Sequence, residues 1–221
     1  MQKIMFNEKF GLQSATLNRT KRMTRRNAKY RGNKEIGFYR YRPGTLVTDG
    51  EYMLIEVLDP DEFSYEPEQY IRSQYHVGEI VAIAQSYESM ANGGYLDRML
   101  DGPLSMKKEY AGAGYKNKMF VKPELMPHHI KITGIKVERL QEISEEDAMK
   151  EGIIRVDETS SVMGCKPYYT YRGSKVHAIS AKAAFISLIE NMRKKPKKEY
   201  REIPAEPYNP LVFAYDYELV D

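Results

Sequence analysis

A run of eight cationic side chains with no acid among them lies between residues 19 and 34. The cations are Arg19, Lys21, Arg22, Arg25, Arg26, Lys29, Arg31 and Lys34. Such a run raises the local concentration of anions and suits a polyanion or a nucleotide. Tyr30 stands between Lys29 and Arg31, a mixture of ring and cations that is typical of single-stranded nucleic-acid binding. The competing interpretation is a solvated basic arm whose tyrosines serve packing.

The histidines and the single cysteine offer less chemistry. One thiolate cannot fill a tetrahedral zinc shell or form an internal disulfide, and Cys165 has no predicted base partner. His128 and His129 are adjacent, so on a strand their side chains would point to opposite faces, and no carboxylate stands at a useful spacing. The sequence therefore predicts no metal site.

Composition indicates an ordinary globular protein. Of 221 residues 42% are apolar and 29% charged, and no apolar run is long enough for a membrane helix. The first nine residues become charged too quickly for a secretory signal, so we expect a soluble, cytoplasmic protein with no membrane association. A net charge of +3 gives no general attraction to phosphate, which leaves the local basic run as the informative feature.

Strand-like segments outnumber helical ones. The predicted strands cover residues 38–41, 50–58, 80–84, 129–140 and 211–220, and the predicted helices cover 7–17, one or two turns after Ser144, and 181–193. Gly134 predicts a bulge or bend, and Gly152 a helix stop. Because no strand leads into a glycine-rich phosphate loop, the pattern favours an α+β fold built on a small barrel over a doubly wound parallel sheet.

Two polar stretches, at about 86–118 and 157–180, show little periodicity. We interpret them as surface insertions within a single domain that spans residues 1–221. The first insertion, rich in glycine, is a candidate lid.

Four segments, in order, resemble the ASCH domains of the PUA-like superfamily. Residues 19–26 (RTKRMTRR) resemble the family signature G-R-K-T-x-T-x-R, and residues 75–87 resemble its glycine turn and strand. Residues 130–153 are similar to its next strand and a short helix that ends in Glu-Gly. Residues 185–192 and 209–218 are similar to its closing helix and strand. The resemblance covers about half the chain and implies a PUA-like small β-barrel flanked by helices.

One branch of the ASCH family hydrolyses the acetyl amide of N4-acetylcytidine with a Lys, a Thr and a Glu. The resemblance carries these roles to Lys21, Thr24 and Glu151. Thr24 would attack once Lys21 removed its proton, provided that the arginines which follow lowered the lysine pKa. Glu151 would orient the lysine or the entering water, and Arg26 would hold an oxyanion or a phosphate oxygen. This chemistry requires no cofactor.

The sequence departs from the family pattern in places. Arg19, Thr20 and Arg22 stand where the signature has Gly, Arg and Thr. After the glycine turn, larger relatives usually end the strand with R-E-(T/S)-W, whereas this chain reads Ala-Gln-Ser-Tyr at residues 84–87. Lys21, Thr24 and Arg26 stay in register with the signature.

The alternative is a non-catalytic module that binds RNA or DNA, or a ribonuclease. In that hypothesis Arg22, Arg25, Arg26 and Lys29 contact phosphates, while tyrosines such as Tyr87 stack on bases. Both hypotheses expect a nucleoside, a nucleotide or RNA as the partner.

Overall fold

The structure is a computed structural model that describes residues 1–28, 40–42, 46–47, 52–58, 69–92, 112–157, 167–175, 177–193 and 209–220. Its elements are β1 (Gln2–Ile4), α1 (Leu12–Leu17), β2 (Met23–Asn27), β3 (Arg40–Arg42), β4 (Leu46–Val47), β5 (Tyr52–Leu58), β6 (Gln69–Arg72), β7 (Ile80–Ile83), α2 (Tyr87–Asn92), β8 (His129–Arg139), α3 (Glu145–Lys150), β9 (Ile154–Val156), β10 (Tyr168–Thr170), α4 (Ala181–Met192) and β11 (Leu211–Leu219). The chain is α+β, as predicted.

The main sheet has five strands in the order β1-β7-β8-β11-β2. β1 pairs with β7 in parallel, and the other neighbours are antiparallel. The long central strands β8 and β11 form because Ile130 and Ile132 are fully buried while Lys131 between them is exposed. This alternation places one face of β8 on the core.

A β-bulge interrupts the pairing of the two central strands. The register passes from Asp216 opposite Gly134 to Tyr217 opposite Ile132, so Thr133 is the extra residue. The bulge predicted at Gly134 is therefore confirmed. A bulge increases the local right-handed twist and bends the strand, which curls the sheet.

The curl brings the two edge strands of the main sheet close together. In a flat sheet β1 and β2 would lie about 19 Å apart, four strand spacings, which is far more than one side chain spans. Instead, the guanidinium of Arg26 on β2 donates a hydrogen bond of 2.7 Å to the carbonyl of Met5, just past β1.

The closed β-barrel that we predicted is not present among the described strands. The edges of the main sheet are bridged by a side chain instead of being paired by their backbones, so the sheet is open and curled. A separate set of short antiparallel strands places β5 between β3 and β4, and β6 also pairs with β5.

The first predicted insertion, 86–118, is not a surface segment at its start. Tyr87 and Met90 of α2 are buried against Met126 in a small second core. Residues 93–111, where a lid would lie, are outside the described residues. The prediction of a surface insertion is therefore wrong for α2.

The second predicted insertion, 157–180, also contributes to the core. Its strand β10 pairs with β9, and Tyr171 is buried in the main core. Residues 158–166 lie outside the part of the chain that the structure describes.

Side-chain hydrogen bonds at helix ends fix the positions of α3 and α4. Ser144 accepts a hydrogen bond of 3.1 Å from the Asp147 amide and starts α3, as predicted. Gly152, with φ of 96°, follows its last turn. Glu145 of α3 accepts hydrogen bonds from the first two amides of α4, at 2.7 and 3.2 Å, which fixes one helix against the other.

Helix α4 is the amphipathic helix expected at 181–193. Ala184, Phe185 and Leu188 are buried at helical spacing. Helix α1 covers Leu12–Leu17 and is shorter than the predicted 7–17. Gly11, whose φ is 68°, closes a turn just before it, so the helix cannot begin earlier. Within the described ranges, no helix is long and apolar enough to cross a membrane.

Candidate functional site

A cavity of about 310 Å³ lies where the two edges of the main sheet approach each other. One wall comes from the segment that contains β2 and from the end of α3, and it is polar: Lys21, Thr24, Arg25, Arg26 and Glu151. The opposite wall comes from α4 and is apolar: Phe185, Leu188, Ile189 and Met192. The three residues predicted as catalytic therefore lie together at one cavity.

Lys21 is a buried cation whose three N–H bonds all have acceptors. Its side chain is 1% exposed. The ammonium donates to the carbonyl of Met23 at 2.6 Å and to the carbonyl of Glu151 at 3.0 Å, and it forms an ion pair with Oε2 of Glu151. It also lies 5.9 Å from the centre of the Phe6 ring.

Backbone contacts from three elements hold the lysine segment. The Lys21 amide donates to the carbonyl of Ala15 in α1 at 2.8 Å, and the Arg22 amide donates to the carbonyl of Lys150 in α3 at 2.8 Å. The Tyr217 amide on β11 donates back to the carbonyl of Arg22 at 2.9 Å. The position of Lys21 is therefore set by long-range packing.

Burial lowers the pKa of Lys21 below the ordinary lysine value of 10.5. Removal from water is the largest cause; the ion pair with Glu151 opposes it, and the charges of Arg26 and Arg25 lower the pKa further. We expected the lowering to come from crowding by arginines, whereas burial is the main reason. Arg22 is exposed.

Glu151 shares its carboxylate between two cations. It stands at the C-terminal end of α3, and its side chain is 5% exposed. Oε2 faces Lys21, and Oε1 accepts a hydrogen bond of 2.8 Å from Nη1 of Arg25. A carboxylate held on both oxygens by cations is strongly oriented.

Thr24 lines the cavity from β2, opposite Tyr215 of β11, and is 5% exposed. Its hydroxyl makes no hydrogen bond with any other described residue, so it is available to a ligand. The ammonium of Lys21 is directed to Met23 and Glu151. The nucleophile-to-base hydrogen bond is therefore not made in this conformation.

Arg25 and Arg26 are adjacent in sequence and differ in surroundings. The Arg25 side chain is 2% exposed and forms ion pairs with Glu138, Asp147 and Glu151. Arg26 is half-buried, lies 6.0 Å from the centre of the Phe6 ring and pairs with no carboxylate of the described residues. Of the described cations that line the cavity, only Arg26 therefore offers a charge that no carboxylate already neutralises.

The other predicted binding residues lie elsewhere. Arg22 is exposed and does not line the cavity. Tyr87 is buried in the second core, where its hydroxyl accepts a hydrogen bond of 2.9 Å from the Lys122 amide. Lys29 and Cys165 lie outside the described residues. His128 and His129 belong to no group of three metal-binding side chains among the residues that are described.

Two parts of the site could not be read from the sequence. The apolar spacing of α4 predicts a core helix, but it does not indicate that part of this apolar face lines a cavity. The sequence also does not place Glu138 and Asp147 beside Arg25. A possible signal was the acidic first turn of α3, which the sequence shows as Glu145, Glu146 and Asp147.

The chain matches no protein-family model, no curated protein and no solved structure. The fold and the cavity describe an α+β protein in which an open, curled sheet holds a buried lysine–glutamate pair and a threonine hydroxyl at the polar wall of a small cavity.

Proposed function

We propose that this is an ASCH-type, PUA-like protein that recognises a nucleoside or nucleotide in the cavity and removes an N4-acyl group from cytosine. The observation that carries the proposal is that Lys21 and Glu151, 130 positions apart in the chain, meet beside Thr24 at one cavity. The curled sheet supports the PUA-like part, because its two edges approach each other closely enough for one side chain to bridge them.

The cavity suits a ligand with one flat apolar face and one polar edge. Its volume of about 310 Å³ lies at the small end of the range of ligand pockets. Ile189 and Met192, which are half-buried, provide surface for a base or an acyl methyl group, while Thr24 and Arg26 face them with hydrogen-bonding groups. A nucleobase that carries an acyl amide has this division of polarity.

The reaction adds water across the amide C–N bond and yields the free cytosine amine and a carboxylic acid. Lys21, as a neutral amine, takes the hydroxyl proton of Thr24 while Oγ1 attacks the acyl carbonyl carbon. The lysine gives that proton to N4 as the C–N bond breaks, which leaves an acyl ester on Thr24. Arg26 donates to the carbonyl oxygen while it carries negative charge.

Water completes the cycle. It attacks the ester carbon and gives a proton to Lys21, and the lysine returns the proton to Oγ1 of Thr24 as the acid leaves. Lys21 acts as a base only after it has lost one proton to solvent, because an ammonium has no free electron pair. Burial, which lowers the pKa of Lys21, brings that loss closer to neutral pH.

The test is incubation of the protein with N4-acetylcytidine and measurement of the cytidine released. Thr24→Val removes the hydroxyl with little change of shape, and Thr24→Ser is the matched control that keeps it. Because that hydroxyl makes no hydrogen bond with another described residue, both variants should unfold like the parent protein. Turnover should fall about 100-fold or more in Thr24→Val and persist in Thr24→Ser. Full activity in Thr24→Val, or no cytidine from the parent protein, would contradict the proposal.

A binding role for RNA or DNA is the second candidate. Exposed Arg22 and half-buried Arg26 pair with no described carboxylate, so both can contact phosphates. This candidate predicts no turnover and an affinity that falls steeply as salt is added. Salt-independent binding, or none, would remove it.

A further inference from the structure

Arg25 is enclosed by carboxylates from two other elements. Its Nε donates a hydrogen bond of 2.6 Å to Glu138 of β8, and its Nη1 donates one of 2.8 Å to Glu151 at the end of α3. Asp147 of α3 lies 3.5 Å from Nη2. The guanidinium carbon lies 5.6 Å from the centre of the Phe185 ring on α4. Nη2 makes ion pairs but no hydrogen bond, and a side chain that is only 2% exposed is poorly accessible to a phosphate.

All three carboxylates around Arg25 also pair with a lysine: Glu151 pairs with Lys21, and the other two pair with lysines outside the Lys21–Glu151 pair. Asp147 pairs with Lys136 and with Lys150, the latter at 3.2 Å, and Lys136 also lies 3.0 Å from Glu138. Burial would raise the pKa of Asp147, but the two lysines outweigh it and lower that pKa. Without Arg25, Asp147 and Glu138 therefore keep a lysine partner outside the Lys21–Glu151 pair, whereas Glu151 keeps Lys21 alone among the described cations.

We propose that Arg25 is a positioning residue for the Lys21–Glu151 pair, anchored on Glu138, and not a ligand of substrate or phosphate. The inference rests on the proposed function only for its activity readout. Arg25 holds Oε1 of Glu151 while Lys21 holds Oε2, so the carboxylate keeps one cationic partner when the lysine gives up its proton. Without Arg25, Lys21 would be the one described cation left on the Glu151 carboxylate, so it would hold its proton more tightly.

The charged side chains around the Lys21–Glu151 pair come from β2, β8 and α3. β2 contributes Arg25 and Arg26, β8 contributes Glu138, and α3 contributes Asp147 beside Glu151 itself. From β11, Tyr217 interacts electrostatically with Glu151; burial raises the pKa of Tyr217, so its phenol stays neutral. The cavity wall of α4 has only apolar side chains. Arg25 is therefore the nearest source of charge to the carboxylate besides Lys21.

The experiment compares Arg25→Gln, Arg25→Lys and Glu138→Gln. Arg25→Gln removes a cation beside Lys21, so Lys21 should keep its proton to higher pH, by a shift larger than the error of the titration. Arg25→Lys keeps the charge and should restore most of the original behaviour. Glu138→Gln leaves Arg25 and Lys136 less neutralised, so Lys21 should lose its proton at lower pH. Opposite shifts in two variants cannot come from general loosening of the fold.

Two readouts separate this inference from the proposed function. The first is the pH dependence of kcat/KM with N4-acetylcytidine, whose rise with pH should move with Lys21. The second is the titration of the Lys21 side chain by NMR in protein labelled at lysine, which needs no turnover. If the parent protein releases no cytidine, the proposed function fails, and the NMR titration still tests Arg25.

Three results would overturn the positioning role. One is an unchanged Lys21 titration in Arg25→Gln. Another is a rise in KM with an unchanged pH profile, which would make Arg25 a substrate ligand. The third is a shift of the same sign in Arg25→Gln and Glu138→Gln. If Arg25→Gln fails to fold, the titration of Lys21 in Glu138→Gln decides alone. That variant is predicted to lower the Lys21 pKa, whereas simple exposure of Lys21 to water would raise it.

Discussion

Breaking the buried ion pair between Lys21 and Glu151 should be costly, and the cost should depend on which partner is removed. The two side chains are 1% and 5% exposed, so neither charge can be rehydrated without local opening. Glu151→Gln leaves the Lys21 ammonium with backbone carbonyls and no carboxylate. We expect a loss of about 3–5 kcal/mol in the free energy of unfolding, the usual result when a buried charge loses its partner.

Lys21→Met should cost less, because Glu151 keeps its hydrogen bond of 2.8 Å from Arg25. We expect about 1–3 kcal/mol. In the double variant no buried ammonium is left unpaired, so its loss should be smaller than the sum of the two single losses by about 1–3 kcal/mol. Urea unfolding followed by circular dichroism measures all three, since the chain has no tryptophan for fluorescence. A loss below about 1 kcal/mol in Glu151→Gln, or single losses that simply add, would refute this reasoning.

The cost of Glu151→Gln should also depend on pH, with a definite sign. The folded pKa of Lys21 lies below 10.5, so between these two values the unfolded chain binds more protons and stability rises with pH. Loss of Glu151, which raises the lysine pKa, widens that window toward lower pH. The variant should therefore regain stability as pH rises toward 10.5, and urea unfolding at a series of pH values tests it. A constant difference from the parent protein would mean that Lys21 does not titrate in the folded state.

Three further predictions concern stability. Burial raises the pKa of Tyr75 from 10.0 to about 12. Between these pH values the unfolded chain binds fewer protons than the folded protein, so the free energy of unfolding should fall by about 2–3 kcal/mol as the pH rises. Urea unfolding of Tyr75→Phe across the same pH range should lack this fall. Gly152→Ala places a side chain on a residue whose φ is 96°, beside Lys21, and should lower the free energy of unfolding by about 1–3 kcal/mol. Gly134→Ala, at a residue without a positive φ, should lower it less in the same assay. Leu188→Ala should cost about 2–5 kcal/mol because Leu188 is 1% exposed, while exposed Glu190→Ala on the same helix should stay within about 0.5 kcal/mol; equal losses would mean that α4 does not seal the core.

Local signals predicted the elements that carry their own pattern. Helix α4 has apolar residues at helical spacing, α3 has a serine cap at Ser144 and a glycine stop, and β8 alternates around Ile130 and Ile132 with a bulge beside Gly134. Each pattern reflects contacts within a few residues, so sequence alone was enough to find it.

The edge strands were not predicted, and neither was the shape of the sheet. β2 contains Thr24, Arg25 and Arg26 in a row, with no apolar alternation, and it is a strand because β11 pairs with it. β1 is three residues long and depends in the same way on β7. Strand propensity is weak at such positions, so partners distant in sequence decide them. The barrel was expected to close, and among the described strands its edges are bridged by Arg26 instead.

The available groups can be read from the residues alone: a basic segment with a lysine and a threonine in register with the ASCH signature, and a glutamate at a capped helix end. Their catalytic roles remain predictions. Long-range packing brings these groups to one cavity and makes two neighbouring arginines in its wall differ, since carboxylates neutralise Arg25 and no described carboxylate pairs with Arg26. The partners of Arg25 lie 113 and 126 positions away. No local pattern encodes such contacts, because the burial that shifts a pKa and the ion pairs that use up a charge arise only when distant elements pack.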